Sequence, residues 1–265
     1  MTIITSIISK KCTVHASDSL ITNKAKPDEE STKIIRVPKW SGIMSFFGAA
    51  IIENGKIVRN ILKEQIELHS DSYSSPEDFA DRICETLNVY PVFYNEIFGI
   101  HFTAYEKQNG IPIPELFRIA NWELQKSGKY TLKSNGVEYR RETYANCLTG
   151  NMRNIPREQH GEAECRHMVR EYLEAGNNYI FNNGDTPLFN SSLDCIFRMF
   201  DIAAQDGKLW MKPEAIYYRK LTTLLIKQVI KWQDNFFLPD HKRVGGKVHS
   251  LSVTPDGKYE SDTDD

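Results

Sequence analysis

Thr2-Ile3-Ile4-Thr5-Ser6-Ile7-Ile8-Ser9, then Lys10-Lys11, then Cys12-Thr13-Val14-His15-Ala16-Ser17-Asp18, is the stretch that decides the fold. Two short runs rich in Ile, Val and Thr, parted by two lysines, have the spacing of a β-hairpin. Thr2 begins the first strand and directly follows Met1. Removal of Met1 leaves one residue carrying both a hydroxyl nucleophile and a free α-amine, an established form of nucleophilic catalysis.

Outward from this hairpin, residues 20–32 are polar, with Pro27 and Asp28-Glu29-Glu30, and read as a loop. Lys33-Ile34-Ile35-Arg36-Val37 reads as a third strand, and Ile43–Phe47 as a fourth that ends at Gly48. The period then changes: Ile57, Val58, Ile61, Leu62 and Ile66 have helical spacing. Ser75-Pro76-Glu77-Asp78 starts a second helix with a cap, a proline and two acids, and Phe79, Ile83 and Leu87 continue it.

Alternation returns over Phe98–Glu106, and Gly110, Pro112 and Pro114 read as a turn before Leu116–Trp122. Asn135-Gly136 between Tyr130–Leu132 and Val137–Tyr139 is a hairpin signal. Helices are expected over His160–Ala175, from Thr186-Pro187 to Ala204, and from Pro213 with Ile216, Leu221, Leu224, Leu225, Val229 and Trp232 on one face. Val244–Val253 reads as a last strand, and the acidic residues 260–265 as a disordered tail.

Two blocks of strands, each followed by helices, predict an α+β architecture. Strands from both ends of the chain imply a four-layer αββα sandwich with two stacked, mainly antiparallel sheets between helical layers. No internal repeat or boundary divides the chain, so residues 1–259 read as one domain.

Composition narrows the function. Lys+Arg 33 against Asp+Glu 35 gives a net charge of -2 and argues against nucleic-acid or anionic-membrane partners. No apolar run reaches the ~20 residues of a membrane helix, and no signal-peptide pattern is present, so the expected location is cytoplasmic. Five widely spaced cysteines without a CxxC pair read as reduced, mostly buried thiols. His160, Glu164 and His167 share a helical face, which reads as solvated rather than metal-binding.

The hairpin brings three chemistries to one corner. Asp18 ends the second strand and returns beside Thr2, and Lys33 starts the next strand. An α-amine with a pKa of about 7.7–8.0 is partly neutral and can take the hydroxyl proton. A lysine ammonium nearby favours the deprotonated hydroxyl, and an aspartate holds and balances that lysine. The glycine after strand four, Gly48, can turn a backbone N–H toward a developing oxyanion.

Thr2, the Ala16-Ser17-Asp18 turn, the Lys33–Val37 strand and the Ile43–Gly48 strand together resemble the start of a proteasome-type β subunit, in the N-terminal nucleophile hydrolase superfamily. The spacing from Thr2 to Asp18 matches the family without a gap, and Lys33 falls one residue short. Gly245-Gly246-Lys247-Val248, Val253 and Asp256-Gly257 resemble the family's C-terminal strand and turn. The likeness covers roughly the first ninety residues and the last twenty-five, and residues 140–215 are atypical.

The resemblance implies a hydrolase of peptide or amide bonds. Thr2 would be the nucleophile, Asp18 and Lys33 its partners and Gly48 an oxyanion donor, with no metal or cofactor. It also implies a homo-oligomeric ring. Three positions depart from the pattern. Val244 stands where the family has a serine before Gly-Gly, and His241 (or Asp240 with a one-residue shift) where it has an aspartate. Thr149-Gly150-Asn151 is the nearest match to its mid-chain serine. No propeptide precedes Thr2, so methionine removal is the expected activation. The alternatives are a non-catalytic scaffold or binding protein that keeps Met1, and an amide hydrolase acting on a small molecule.

Overall fold

In the computed structural model the opening runs become β1 (Ile4–Ile8) and β2 (Thr13–Asp18), every residue of both buried. Ser9 closes the turn between them. Its amide donates to the Cys12 carbonyl at 3.0 Å, and its hydroxyl accepts the Cys12 amide at 3.1 Å. The structure describes residues 3–23, 26–30, 32–108, 110–124, 130–141, 146–147, 162–175, 178–183, 214–237 and 244–264.

The chain continues through β3 (Leu20–Asn23), β4 (Lys26–Glu30), β5 (Ile34–Val37) and β6 (Gly42–Gly48). Helices α1 (Val58–His69), α2 (Pro76–Leu87) and the single turn α3 (Val92–Asn95) follow. Next come β7 (Phe98–Gln108), β8 (Ile111–Ala120), β9 (Trp122–Leu124), β10 (Tyr130–Leu132), β11 (Glu138–Arg141) and β12 (Asn146–Cys147). The remaining described elements are α4 (Glu162–Glu174), β13 (Tyr179–Asn183), α5 (Glu214–Phe236), β14 (Val248–Val253) and β15 (Tyr259–Asp264).

Two main antiparallel sheets result, beside the two-stranded pairs β3-β4 and β9-β10. The first has the order β12-β13-β1-β2-β14-β15 and the second the order β11-β8-β7-β6-β5. Two-sided burial of β1 and β2 follows from their place in the middle of a sandwich. Ile3, Ile7, Val14 and Ala16 pack against Leu221, Leu225, Ile226 and Val229 of α5. Their alternating neighbours Ser6 and His15 face the second sheet, bonding His101 and Ser45. On the far face, α1 and α2 bury Leu62, Phe79 and Ile83 against Met44, Phe102 and Phe117. The expected layering of helix, sheet, sheet and helix is the observed one.

The α2 start is built as its residues dictate. The Ser75 hydroxyl accepts the Asp78 amide at 3.0 Å, and Pro76 occupies the first turn. Cys12 and Cys84 are free and buried. Among the described residues no helix is long and apolar enough to cross a membrane.

Several expectations fail for identifiable reasons. Residues 20–32, read as a loop, contain the small hairpin of β3 and β4. Pro112 and Pro114, read as a turn, lie within β8 opposite Lys107 and Tyr105. They are tolerated because β11 pairs only with Phe117–Ala120, so among the described residues β8 has a free edge where the prolines lie.

Asn135-Gly136 does make a tight turn, with Gly136 at φ +77°. Its flanks do not pair with each other: β10 joins β9 and β11 joins β8. Asn88 captures the backbone here, accepting from the Val137 amide at 2.7 Å and donating to its carbonyl at 2.8 Å.

Trp232, expected inward on α5, is 49% exposed, as is Leu224 at 44%. The acidic tail is not disordered over residues 259–264. It is β15, paired along the whole of β14. Arg219 of α5 is the reason. Its guanidinium donates to Glu260 at 2.7 Å, Asp262 at 2.8 Å and the Ser252 hydroxyl at 2.6 Å. The expected helix over 186–204 lies outside the described residues.

Candidate active site

The hairpin of β1 and β2 returns Asp18 to the residue that follows Thr2. Register pairs Ile4 with Ser17, and the Asp18 amide donates to the Ile3 carbonyl at 3.4 Å. The Asp18 side chain is fully buried and receives three donors. Oδ1 accepts the Lys33 ammonium at 3.1 Å and the Ile3 amide at 3.0 Å. Oδ2 accepts the Gly245 amide at 3.2 Å.

Lys33 reaches Asp18 from the second sheet. Its carbonyl accepts the Phe46 amide at 3.1 Å, extending the β5–β6 ladder by one residue and fixing its place. Its ammonium also donates to the Leu20 carbonyl at 2.6 Å. Asp18 and Lys33 therefore meet as expected from their positions at two strand ends.

Burial and pairing oppose one another at this pair. Burial raises the Asp18 pKa, while the Lys33 charge and the amides of Ile3 and Gly245 pull it back. Burial lowers the Lys33 pKa, and Asp18 opposes that shift. A lysine so placed gives up its proton more readily than a solvated one.

Gly48 lies at the same end. Phe47, the residue before it, packs with Ile4 of β1, Ala120 and Trp122. Gly48 has φ +90°, and a Cβ added there would lie 1.9 Å from the Ile97 carbonyl oxygen. Only glycine fits.

The Gly245-Gly246 segment closes the corner. Besides the Gly245 amide on Asp18, the Leu20 amide donates to the Gly245 carbonyl at 3.1 Å, and the Lys247 amide to the Ser19 hydroxyl at 2.8 Å. The buried Val244 holds its amide against the Gln233 side-chain oxygen at 3.0 Å. Val244 thus brings no side-chain hydroxyl to the corner.

Thr2 itself, Met1, Asp240, His241 and Thr149-Gly150-Asn151 lie outside the described residues. So does His160 of the helical trio, while His167 on α4 approaches Glu171 at 3.2 Å. Among the described residues no group of three or more His, Cys, Asp or Glu side chains could hold a metal ion.

Ser19, Gln233 and the backbone amides of Ile3 and Gly245 are the contributors that sequence reasoning missed. Gln233 had a signal: it continues the Leu225-Val229 stripe at helical spacing and is fully buried. The amides had none, because every residue but proline carries one.

With this geometry in hand, likeness to known structures is informative. A solved structure described as an Anbu (Gly-1) mutant from Hyphomicrobium sp. strain MC1 is similar, with a TM-score of 0.53 and 10% identity. The similarity covers 99% of this chain and 87% of that one. The fold is distantly proteasome-like. No family profile matches the chain, and no curated protein sequence matches it. At this identity the likeness concerns the fold alone.

Proposed function

We propose that this chain is a proteasome-like N-terminal-threonine hydrolase that cleaves peptide or amide bonds. Thr2 acts as nucleophile once Met1 is removed. The observation that carries the reading is the Asp18 carboxylate, which binds Lys33 and the Ile3 amide at once. That amide belongs to the peptide bond joining Ile3 to Thr2.

In this reading the Thr2 α-amine takes the proton of its own hydroxyl as that oxygen attacks the carbonyl. Lys33 lowers the cost of negative charge on the hydroxyl oxygen. Asp18 orients Lys33 and keeps the first strand in place. An amide at the Gly48 end of β6 stabilises the oxyanion. The amine then returns the proton to the leaving nitrogen, and water releases the acyl group. No metal or cofactor takes part. A homo-oligomeric ring in the cytoplasm, without nucleic-acid or membrane partners, completes the proposal.

A second reading is a non-catalytic scaffold or binding protein that retains Met1. Val244 favours it, because an apolar side chain stands where the related pattern has a serine. One experiment separates them. Intact mass reports whether Met1 is lost, and a β-lactone reports a reactive threonine. A single adduct absent from Thr2→Ala supports the hydrolase. A chain proven to start at Thr2 that forms no adduct sinks it.

A further inference from the structure

Beside the start of β5, the elements α1, β5 and β14 and the edge strand β15 enclose a cleft of about 750 Å³. That size suits a small organic ligand. Ile35, Ile66 and Leu251 give it an apolar wall. Arg59 and Lys63, one helical turn apart on α1, and Arg36 on β5 give it three cations.

Among the described residues none of the three is in an ion pair. Arg36 lies over the Tyr259 ring at 5.3 Å, which leaves the edge of its guanidinium available. The Arg59 Nε is buried and, among the described residues, has no hydrogen-bond partner. A buried donor without an acceptor is rare enough to need an explanation, and burial lowers the Arg59 pKa. The other charges at the cleft are accounted for. The Lys39 ammonium is held by the carbonyls of Ser70 and Asp71, both at 2.9 Å, and of Tyr73 at 2.5 Å. Asp262 is held by Arg219. Glu67 and Asp71 are exposed at the rim.

We propose that this cleft is a binding site for a small organic phosphate, with Arg59, Arg36 and Lys63 on the phosphoryl oxygens and the body of the ligand against Ile35, Ile66 and Leu251. Arginine forks match phosphoryl oxygens two at a time, and a phosphate monoester carries about 1.5 to 2 negative charges, which three cations can balance. The apolar wall is what an inorganic anion leaves uncovered.

Calorimetric titration of the full chain with AMP, pyrophosphate and citrate, at constant ionic strength, tests this. AMP is expected to bind saturably and at least as tightly as pyrophosphate. Arg59→Gln and Arg36→Gln should each weaken AMP by about tenfold or more, the worth of a charge-assisted hydrogen bond. Lys231→Gln, at an exposed position of α5, should change nothing. Arg36 is exposed on a strand, so its variant decides the matter if Arg59→Gln does not fold. Saturable binding of citrate or pyrophosphate without AMP overturns the proposal. So does absence of AMP binding, or unchanged affinity in both arginine variants. Thr2→Ala should bind AMP like the parent chain, so failure here leaves the hydrolase reading standing, and the reverse.

Discussion

The Lys33 ammonium meets the Asp18 carboxylate at 3.1 Å with the two side chains 2% and 0% exposed, one from each sheet of the sandwich. The pair pins the second sheet to the end of β2. It also sets the position of the chain at Ile3, because the same carboxylate oxygen holds that residue's amide.

Breaking this pair should be costly. Lys33→Met leaves a buried carboxylate without its cation and is expected to lose about 3–5 kcal/mol. Asp18→Asn with Lys33→Met should cost less than the sum of the single changes by more than about 1 kcal/mol, because the two side chains touch. Urea midpoints of the four chains measure it.

The same carboxylate carries the proposed chemistry. Asp18→Asn should slow β-lactone acylation of Thr2 by roughly a hundredfold, the scale of misplacing a reacting group by about 1 Å, because Asp18 orients Lys33 and the chain at Ile3. Near-ultraviolet circular dichroism of the variant separates this from unfolding. Acylation at the parent rate in a folded variant would remove Asp18 from the mechanism.

Stability should fall in acid because two histidines are buried between the sheets. His15 bonds Ser45 at 2.8 Å and Thr103 at 3.0 Å, and His101 bonds Ser6 at 2.9 Å and Asn183. Burial, with the Arg118 charge adding to it, pushes His101 from 6.5 down to about 3. Burial, aided by His101, holds His15 well below 6.5. The unfolded chain therefore takes up protons below pH 6.5 that the folded chain refuses. The stability is whole above that pH and drains away as pH falls toward the folded values. The loss should approach about 1.4 kcal/mol per pH unit for each histidine. Urea midpoints between about pH 7.5 and 5.0 should show the fall, and His101→Gln should flatten it by about half.

Gly48→Ala should be destabilising despite the small size of the added methyl. The position needs φ +90°, and the methyl meets the Ile97 carbonyl oxygen. A cost of about 1–3 kcal/mol is expected. Calorimetric melting of Gly48→Ala against Gly55→Ala is the comparison. Gly55 also has positive φ but nothing within 4 Å of an added Cβ, so the larger loss should fall at Gly48.

Arg219→Gln should loosen the C-terminal strand. The guanidinium is the common partner of Glu260, Asp262 and Ser252. Its carboxylate partners are half exposed, so the global cost should be modest, about 1 kcal/mol. The local effect should be larger. Amide exchange in β15 should rise well above that in β14, whose other edge stays paired to β2.

Much of this was written in local chemistry. Alternating Ile, Val and Thr across Lys10-Lys11 determined the β1–β2 hairpin, the Ser75-Pro76 cap determined the start of α2, and periodicity determined the faces of α1 and α2. Asp18 and Lys33 could be picked out because polar residues at two apolar strand ends are few, and their distance along the chain suits one corner.

What local chemistry could not carry was competition between distant partners. Asn88 takes the backbone beside Asn135-Gly136, and so separates two strands that a strong turn signal would have joined. Arg219 lies some forty residues before Glu260 and Asp262, yet its guanidinium holds both in an acidic run, which would repel itself in water, and so helps to make that run an edge strand. The buried Asp18 likewise depends on the amides of Ile3 and Gly245, groups that carry no mark in the sequence. Residue types and their spacing along the chain marked out the candidates. Tertiary structure decided which backbone groups desolvate and hold them.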